Sequence, residues 1–231
     1  MFPLPVAAGP PAPAPTNPNS ASISLRDDSA TLVSAHRLSS FSDAVIAVIM
    51  TVLVLELRAP ERPAFSALVA LWPTAISYAV SYLFIAIIWI NHHHLMRFVG
   101  RPTLRLIWIN FAHLFPVSFL PFATAWVARS RLAGAPVAVY AALFVCIDLA
   151  YNVFEREVLE QAHVTVVSPR ARRLARFRSL AVLGIFITAA LIGFVAPQLG
   201  FALVCCGLVP HVKPEPLGSG LPRAVKRTAA G

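Results

Sequence analysis

Long apolar runs separated by short polar breaks set the pattern of this chain. The stretch Arg37 to Leu57, RLSSFSDAVIAVIMTVLVLEL, opens on an arginine, serines and an aspartate. It continues as thirteen residues, Ala44 to Glu56, whose only polar side chains are Thr51 and Glu56. A helix over the whole stretch from Arg37 to Leu57 is about 30 Å long and crosses a hydrocarbon core. After RAPERP a short apolar piece, Ala64 to Trp72, suits the interface or an extension of the next helix. Further spans are predicted at about Pro73–Phe98, Leu104–Val127, Pro136–Phe154, Leu180–Ala196 and Gln198–Val209. Pro116 and Pro121 predict kinks in the third, which neighbouring helices can tolerate by satisfying the freed carbonyls. The last run, twelve residues long, crosses fully only if joined to Ala196-Pro197 through a bend. The expectation is an all-α polytopic membrane protein with six transmembrane helices.

Composition agrees. At 231 residues the chain is 58% hydrophobic and 13% charged, far below the ~25% charge of a soluble domain. Its net charge of +9 would suggest nucleic acid in a soluble protein, but the basic residues lie between apolar runs, where topology explains them and no nucleic-acid partner is needed. Fifteen Lys and Arg fall before span one, after spans two and four, and in the C-terminal tail, whereas Arg58, Arg62, Arg129 and Arg131 fall on the other side. The positive-inside rule then places both termini in the cytoplasm and requires an even number of spans. Residues 1–33, Pro/Ala-rich at their start, read as a disordered cytoplasmic tail rather than a signal peptide, residues 34–210 as the membrane domain, and 211–231 as a basic cytoplasmic tail. The three cysteines show no metal or disulfide spacing, and no GxSxG, HExxH or phosphate-loop pattern occurs. Neither enzyme activity nor a cofactor is indicated.

Chemistry concentrates at a few positions. Asp43 lies near one membrane face, where an ionisable group needs a partner. Arg37, six residues away, is about 240° around an ideal helix, so neighbouring helices or subunits must satisfy the pair. Val48, Thr51, Val52 and Leu55, at offsets of three, four and seven, share one helix face. Several copies with that face inward would make stacked apolar rings with a hydroxyl ring among them, a constriction that can gate by dewetting. On spacing alone an ordinary lipid-facing or packing stripe is the better account, since nearly every position is apolar. His92, His93 and His94 diverge by about 100° each and cannot converge on one metal ion. Hydrogen bonds from them to Asp43, Ser42 or Asn110 are expected instead, with Trp89 and Asn91 near the same face. Asp148, deep in span four, fits either an ion or proton path or a helix contact. Glu56 either concentrates cations at an entrance or faces water.

The motif R-x-x-x-F-S-D, present as Arg37, Phe41, Ser42 and Asp43, continues as AVIAVIMTVLVLEL; WINHH at Trp89–His93, Asn110 and PVSFLPFAT at Pro116–Thr124 follow. In these segments the chain resembles the endosomal and lysosomal potassium channels of the transmembrane protein 175 family, in its bacterial single-repeat branch. The resemblance covers spans one to three. It implies a six-helix subunit in a bacterial plasma membrane, a homotetramer, and a central pore lined by the first helix that conducts potassium ions across the lipid bilayer. By the same resemblance Val48 is the apolar constriction, Thr51 a threonine layer, and Val52 and Leu55 further pore layers. Arg37, Phe41, Ser42, Asp43, His92, His93 and Asn110 would be a network holding the pore helices in register. The chain departs from the family pattern in having Val48 where isoleucine or leucine is usual, and His94 after the histidine pair. A different class of function, a proton-coupled transporter with Asp43, Asp148 and the His92–His94 cluster as relay, is disfavoured because spans four to six do not repeat spans one to three.

Overall fold

A computed structural model describes residues 18–161 and 169–211. Eight α-helices follow one another among these residues: α1 (Pro18–Leu55), α2 (Phe65–Val69), α3 (Trp72–Met96), α4 (Leu104–Val117), α5 (Leu120–Arg129), α6 (Gly134–Gln161), α7 (Pro169–Gly193) and α8 (Pro197–Leu208), closed by a 3-10 turn at Val209–His211. There is no strand among the described residues. Helix α1 starts inside the stretch expected as the 1–33 tail, and its first residue is the last of that stretch's seven prolines, a position where the missing N–H costs nothing. The rest of that expected tail, residues 1–17, and nearly all of the basic tail expected over 211–231 lie outside the described residues.

Four helices are long and apolar enough to cross a membrane: Ser34–Leu55 of α1, α3, α4 with α5 taken as Leu104–Arg129, and α6. The chain is therefore a multi-pass membrane protein. Ser179–Gly193 and α8 are shorter apolar helices. Twelve residues in α8 rise about 18 Å against a ~30 Å core, so length and composition among the described residues identify four of the six expected spans as full crossings and leave the last two as shorter apolar helices. The arginine-rich stretch expected as a loop before the fifth span is instead the first part of α7, as the high helix propensity of arginine allows.

The predicted proline kinks separate α4 from α5. Pro116 sits in the last turn of α4 and Pro121 in the first turn of α5, with Phe119 N donating to Pro116 O at 3.2 Å across the break. Helix α1 packs on α3, α4 and α5, while α6 touches α4, α5, α7 and α8. Small residues set the tightest approach. A Cβ on Gly200 of α8 would lie 2.7 Å from Gly193 Cα, and one on Gly193 would lie 3.1 Å from Ala138 N of α6. Such backbone proximity suits helices in lipid, where dispersion rather than water exclusion drives packing.

The core is divided. One apolar cluster contains Ile46, Ile49, Leu53, Phe84, Phe144, Phe186 and Val204. A smaller one, toward the N-terminal side of α1, contains Leu38, Leu95, Leu106, Phe154 and Val158. Between them lies a layer of buried polar side chains.

Candidate functional site

Helix α1 buries Leu38, Ser42, Ile46, Ile49 and Leu53, spaced by four, four, three and four so that they form one face. Ser42 is the polar member. Its hydroxyl donates to Leu38 O at 3.0 Å and accepts from Asn110 Nδ2 of α4 at 2.9 Å. Asn110 Oδ1 meets His92 Nε2 of α3 at 2.8 Å. That oxygen can only accept, so His92 carries its proton on Nε2 and donates. The result is a directed chain, His92 to Asn110 to Ser42 to Leu38 O, across three helices, with all three side chains fully buried. Low dielectric strengthens each bond and polarises the series.

Asp43 belongs to a separate contact on the half-exposed side. Trp89 Nε1 donates to its Oδ1 at 2.9 Å, and the Trp89 ring lies 5.6 Å from that of His93. Phe41 meets Phe111 edge-on at 5.3 Å. Arg37 is exposed, and no bond joins it to Asp43 among the described residues, in keeping with their helix angle. The sequence-derived network thus separates into a buried relay (Ser42, Asn110, His92), a peripheral pair (Asp43 with Trp89, beside His93) and an aromatic contact at Phe41. The three adjacent histidines diverge: His92 is buried, His93 exposed, and His94 half-buried against Phe98.

Three features were not anticipated. His113, one turn beyond Asn110, is fully buried with both ring nitrogens unpartnered among the described residues, parallel to His92 and Phe154 at 6.2 and 6.0 Å. Its three-residue offset from Asn110 was the available signal. Ser81 binds Thr124 at 2.7 Å and Tyr140 at 2.6 Å in the larger apolar cluster, joining three helices that no sequence spacing relates. At the far end of α1, Arg129 Nη2 reaches Glu56 Oε2 at 2.6 Å, so Glu56 is paired rather than simply facing water. Asp148 lies elsewhere, buried on the α6–α7 side, where Asn152 Nδ2 approaches its Oδ2 at 3.3 Å and Ser179 donates to Asn152.

The opposite face of α1 is left open by the described residues. Val48, Val52 and Leu55 are 60%, 41% and 78% exposed, and Thr51 is exposed with them. The Thr51 hydroxyl proton is committed to Val48 O at 2.7 Å, which leaves its oxygen as an acceptor. In the membrane-crossing window of α1, 22% of residues are buried, against 39 to 44% in the other three. No described residue of the subunit covers this face.

Residues 37–121 match the family described as endosomal/lysosomal potassium channel TMEM175. A protein of Streptomyces collinus named as a potassium channel is 32% identical over 177 residues, 72% of this chain and 85% of that protein. Another so named, from a Chryseobacterium species, is 37% identical over 123 residues, 53% of this chain and 64% of that protein. The crystal structure of a lysosomal potassium-selective channel TMEM175 homolog from Chamaesiphon minutus superposes with a TM-score of 0.68 at 24% identity, covering 77% of this chain and 96% of that one. At that identity the likeness is one of fold.

Proposed function

Because the chain belongs to the endosomal/lysosomal potassium channel TMEM175 family, a family of ion channels, we propose that it is a passive potassium-preferring channel whose pore is lined by α1 of several copies, four by analogy with the family. The observation that carries this reading is the division of α1 into two faces. One is packed and hydrogen-bonded within the subunit; the other presents Val48, Thr51, Val52 and Leu55 outward. Around a symmetry axis these become apolar rings that exclude a hydrated ion at rest, with threonine oxygens to replace part of its water. Both termini are assigned to the cytoplasm by the distribution of basic residues, and residues 34–210 form the channel domain. The buried relay holds α1 on α3 and α4, and the Asp43–Trp89 contact adds a second tie.

Proteoliposomes loaded with potassium and diluted into potassium-free medium test this directly. With a protonophore supplying the compensating charge, outward potassium leak draws protons in and quenches an internal pH dye; valinomycin gives the full signal. The channel reading requires flux that depends on the membrane potential, persists without an imposed pH gradient, and is greater for potassium than for sodium. Flux that saturates and requires a pH gradient would replace it with the transporter. Val48→Phe places a ring in the narrowest layer and is expected to abolish most of the flux in a protein that still purifies at wild-type size. Unchanged flux in that variant would remove Val48 from the permeation path.

A further inference from the structure

The end of the bundle away from the buried polar layer encloses a cavity of about 270 Å³ between the C-terminal ends of α1 and α5 and the start of α3. Leu53, Leu71 and Pro73 supply apolar wall, and Arg58, Arg129 and Arg131 also line it. Only four of the nineteen basic residues lie on this side of the predicted topology, and three of the four converge here. Glu56 is the one carboxylate in the lining and is bonded to Arg129. Positive charge is therefore in excess, next to an apolar wall.

Two independent observations give this charge a direction. Arg131 occupies the left-handed region, φ 51, where α5 closes: its N–H donates to Ala128 O at 3.2 Å and that of Leu132 to Val127 O at 3.0 Å. This is the Schellman closure, in which glycine is usual because a side chain strains the backbone. Arg131 thus lines the cavity from a strained backbone position, as its neighbour Leu132, φ 60, is strained too. The start of α3 also opens on the cavity: Leu71 provides no side-chain cap, so the positive end of a 25-residue helix, less the one N–H that Pro73 lacks, adds to the arginines.

Depth identifies the anion. Helix α2 lies in the loop that supplies Ala70 and Leu71 to the cavity and buries none of its residues; Phe65, Leu68 and Val69 are all exposed, as is Trp72 after it. A short apolar helix followed by an exposed tryptophan belongs at the headgroup–acyl boundary. We infer that the cavity binds the phosphate of an anionic lipid headgroup through Arg58, Arg129 and Arg131 at the start of α3, with the acyl chains remaining in the surrounding bilayer. The volume lies just under the ~300 Å³ lower bound for small-molecule pockets, enough for a headgroup but not a whole lipid. A lipid seated here would tie the end of α1 to α3 and α5.

The test is titration of the purified full-length protein in detergent with phosphatidylglycerol, phosphatidylcholine or inorganic phosphate, with bound lipid counted by native mass spectrometry. Saturable phosphatidylglycerol binding is expected, with neither a comparable phosphatidylcholine adduct nor displacement by millimolar phosphate. Arg131→Gly removes the cation from a backbone that glycine fits better, so it should fold at least as well and bind about fivefold more weakly, as should Arg58→Gln. Arg97→Gln, at the other end of the bundle, should bind as wild type does. Equal binding of phosphatidylcholine, or unchanged phosphatidylglycerol binding in the Arg131→Gly/Arg58→Gln double variant, would overturn the site; displacement by phosphate would make it a small-anion site instead. The readout involves no ion flux, so it stands or falls separately from the pore.

Discussion

Asn110 is the middle member of the buried relay, and its removal has a calculable effect. Asn110→Ala deletes the bond accepted from His92 and the bond donated to Ser42. Hydrogen bonds between helices in a membrane average about 0.6 kcal/mol and reach about 1.7, so the two together contribute about 1 to 3.5 kcal/mol. A further term comes from what is left behind. The His92 Nε2–H would be buried without an acceptor, and moving the proton to Nδ1 gives no relief because that nitrogen also lacks a partner among the described residues. An orphaned donor costs about 1 to 3 kcal/mol, and the combined expectation is a loss of about 2 to 6 kcal/mol. Ser42→Ala is milder, about 1 to 3 kcal/mol, since it deletes one inter-helix bond and leaves the buried Asn110 Nδ2–H without that acceptor, while its other partner, Leu38 O, retains the helical acceptor role.

Coupling between the two distinguishes a relay from two independent packing defects. In Ser42→Ala/Asn110→Ala no asparagine N–H remains to be orphaned, so the double variant should lose about 1 kcal/mol less than the sum of the singles. Reversible unfolding in mixed dodecylmaltoside and SDS micelles, followed by tryptophan fluorescence, measures all four proteins. Protomer concentration must be held constant, because association contributes to apparent stability by mass action. Additivity within about 0.3 kcal/mol would refute the relay.

Two further substitutions probe the remaining ties. Trp89→Phe keeps the ring beside His93 but removes the donor to Asp43, and at this half-exposed site it should cost about 1 kcal/mol in the same unfolding assay; wild-type stability would mean that the contact does not hold α1. Gly200→Ala places a methyl group 2.7 Å from Gly193 Cα, where only backbone can yield, and should cost about 1 to 3 kcal/mol. Gly184→Ala, in open space in α7, should be neutral or stabilising by up to about 1 kcal/mol. Equal midpoints for these two alanine variants would disprove the close α7–α8 approach.

The apolar spans were legible because membrane crossing imposes length and composition on each helix separately. The Ser42, His92 and Asn110 contacts were legible because a polar group in lipid must find another, and few were on offer at that depth. Contacts that depend on how helices turn toward one another were not: Ser81, Thr124 and Tyr140 come from α3, α5 and α6, and nothing in their spacing pairs them. His113 carries the same periodic signal as Asn110 but no partner among the described residues, so chemistry gave no reason to choose it. Boundaries failed where composition misleads. Proline stops at Pro18, and α1 begins there although the residues after it are as polar as the tail before it. The arginines of α7 suggested a loop, but from Pro169 to Gly184 there is neither proline nor glycine to end a helix.

The motif and the proposed pore positions follow one another on a single helix, Val48 about one and a half turns after Asp43, and helix geometry makes them a single specification. Ser42 is fixed inward by Asn110. At 100° per residue Thr51, nine residues on, lies about 180° from it, and Val48, Leu55 and Val52 at about 240°, 220° and 280°. The buried polar layer sits between two apolar clusters, with Leu38, Leu95 and Leu106 on one side and Ile46, Ile88 and Leu114 on the other. Apolar packing alone leaves α1 free to slide or turn among equivalent hydrophobic contacts, whereas a serine that must meet one amide group does not. A turn of about 100°, a single position, would bury the Asp43 carboxylate in place of Ser42 or, in the other direction, set the Phe41 ring against Asn110. The cost of that error is what holds the threonine face outward, where the proposed pore requires it.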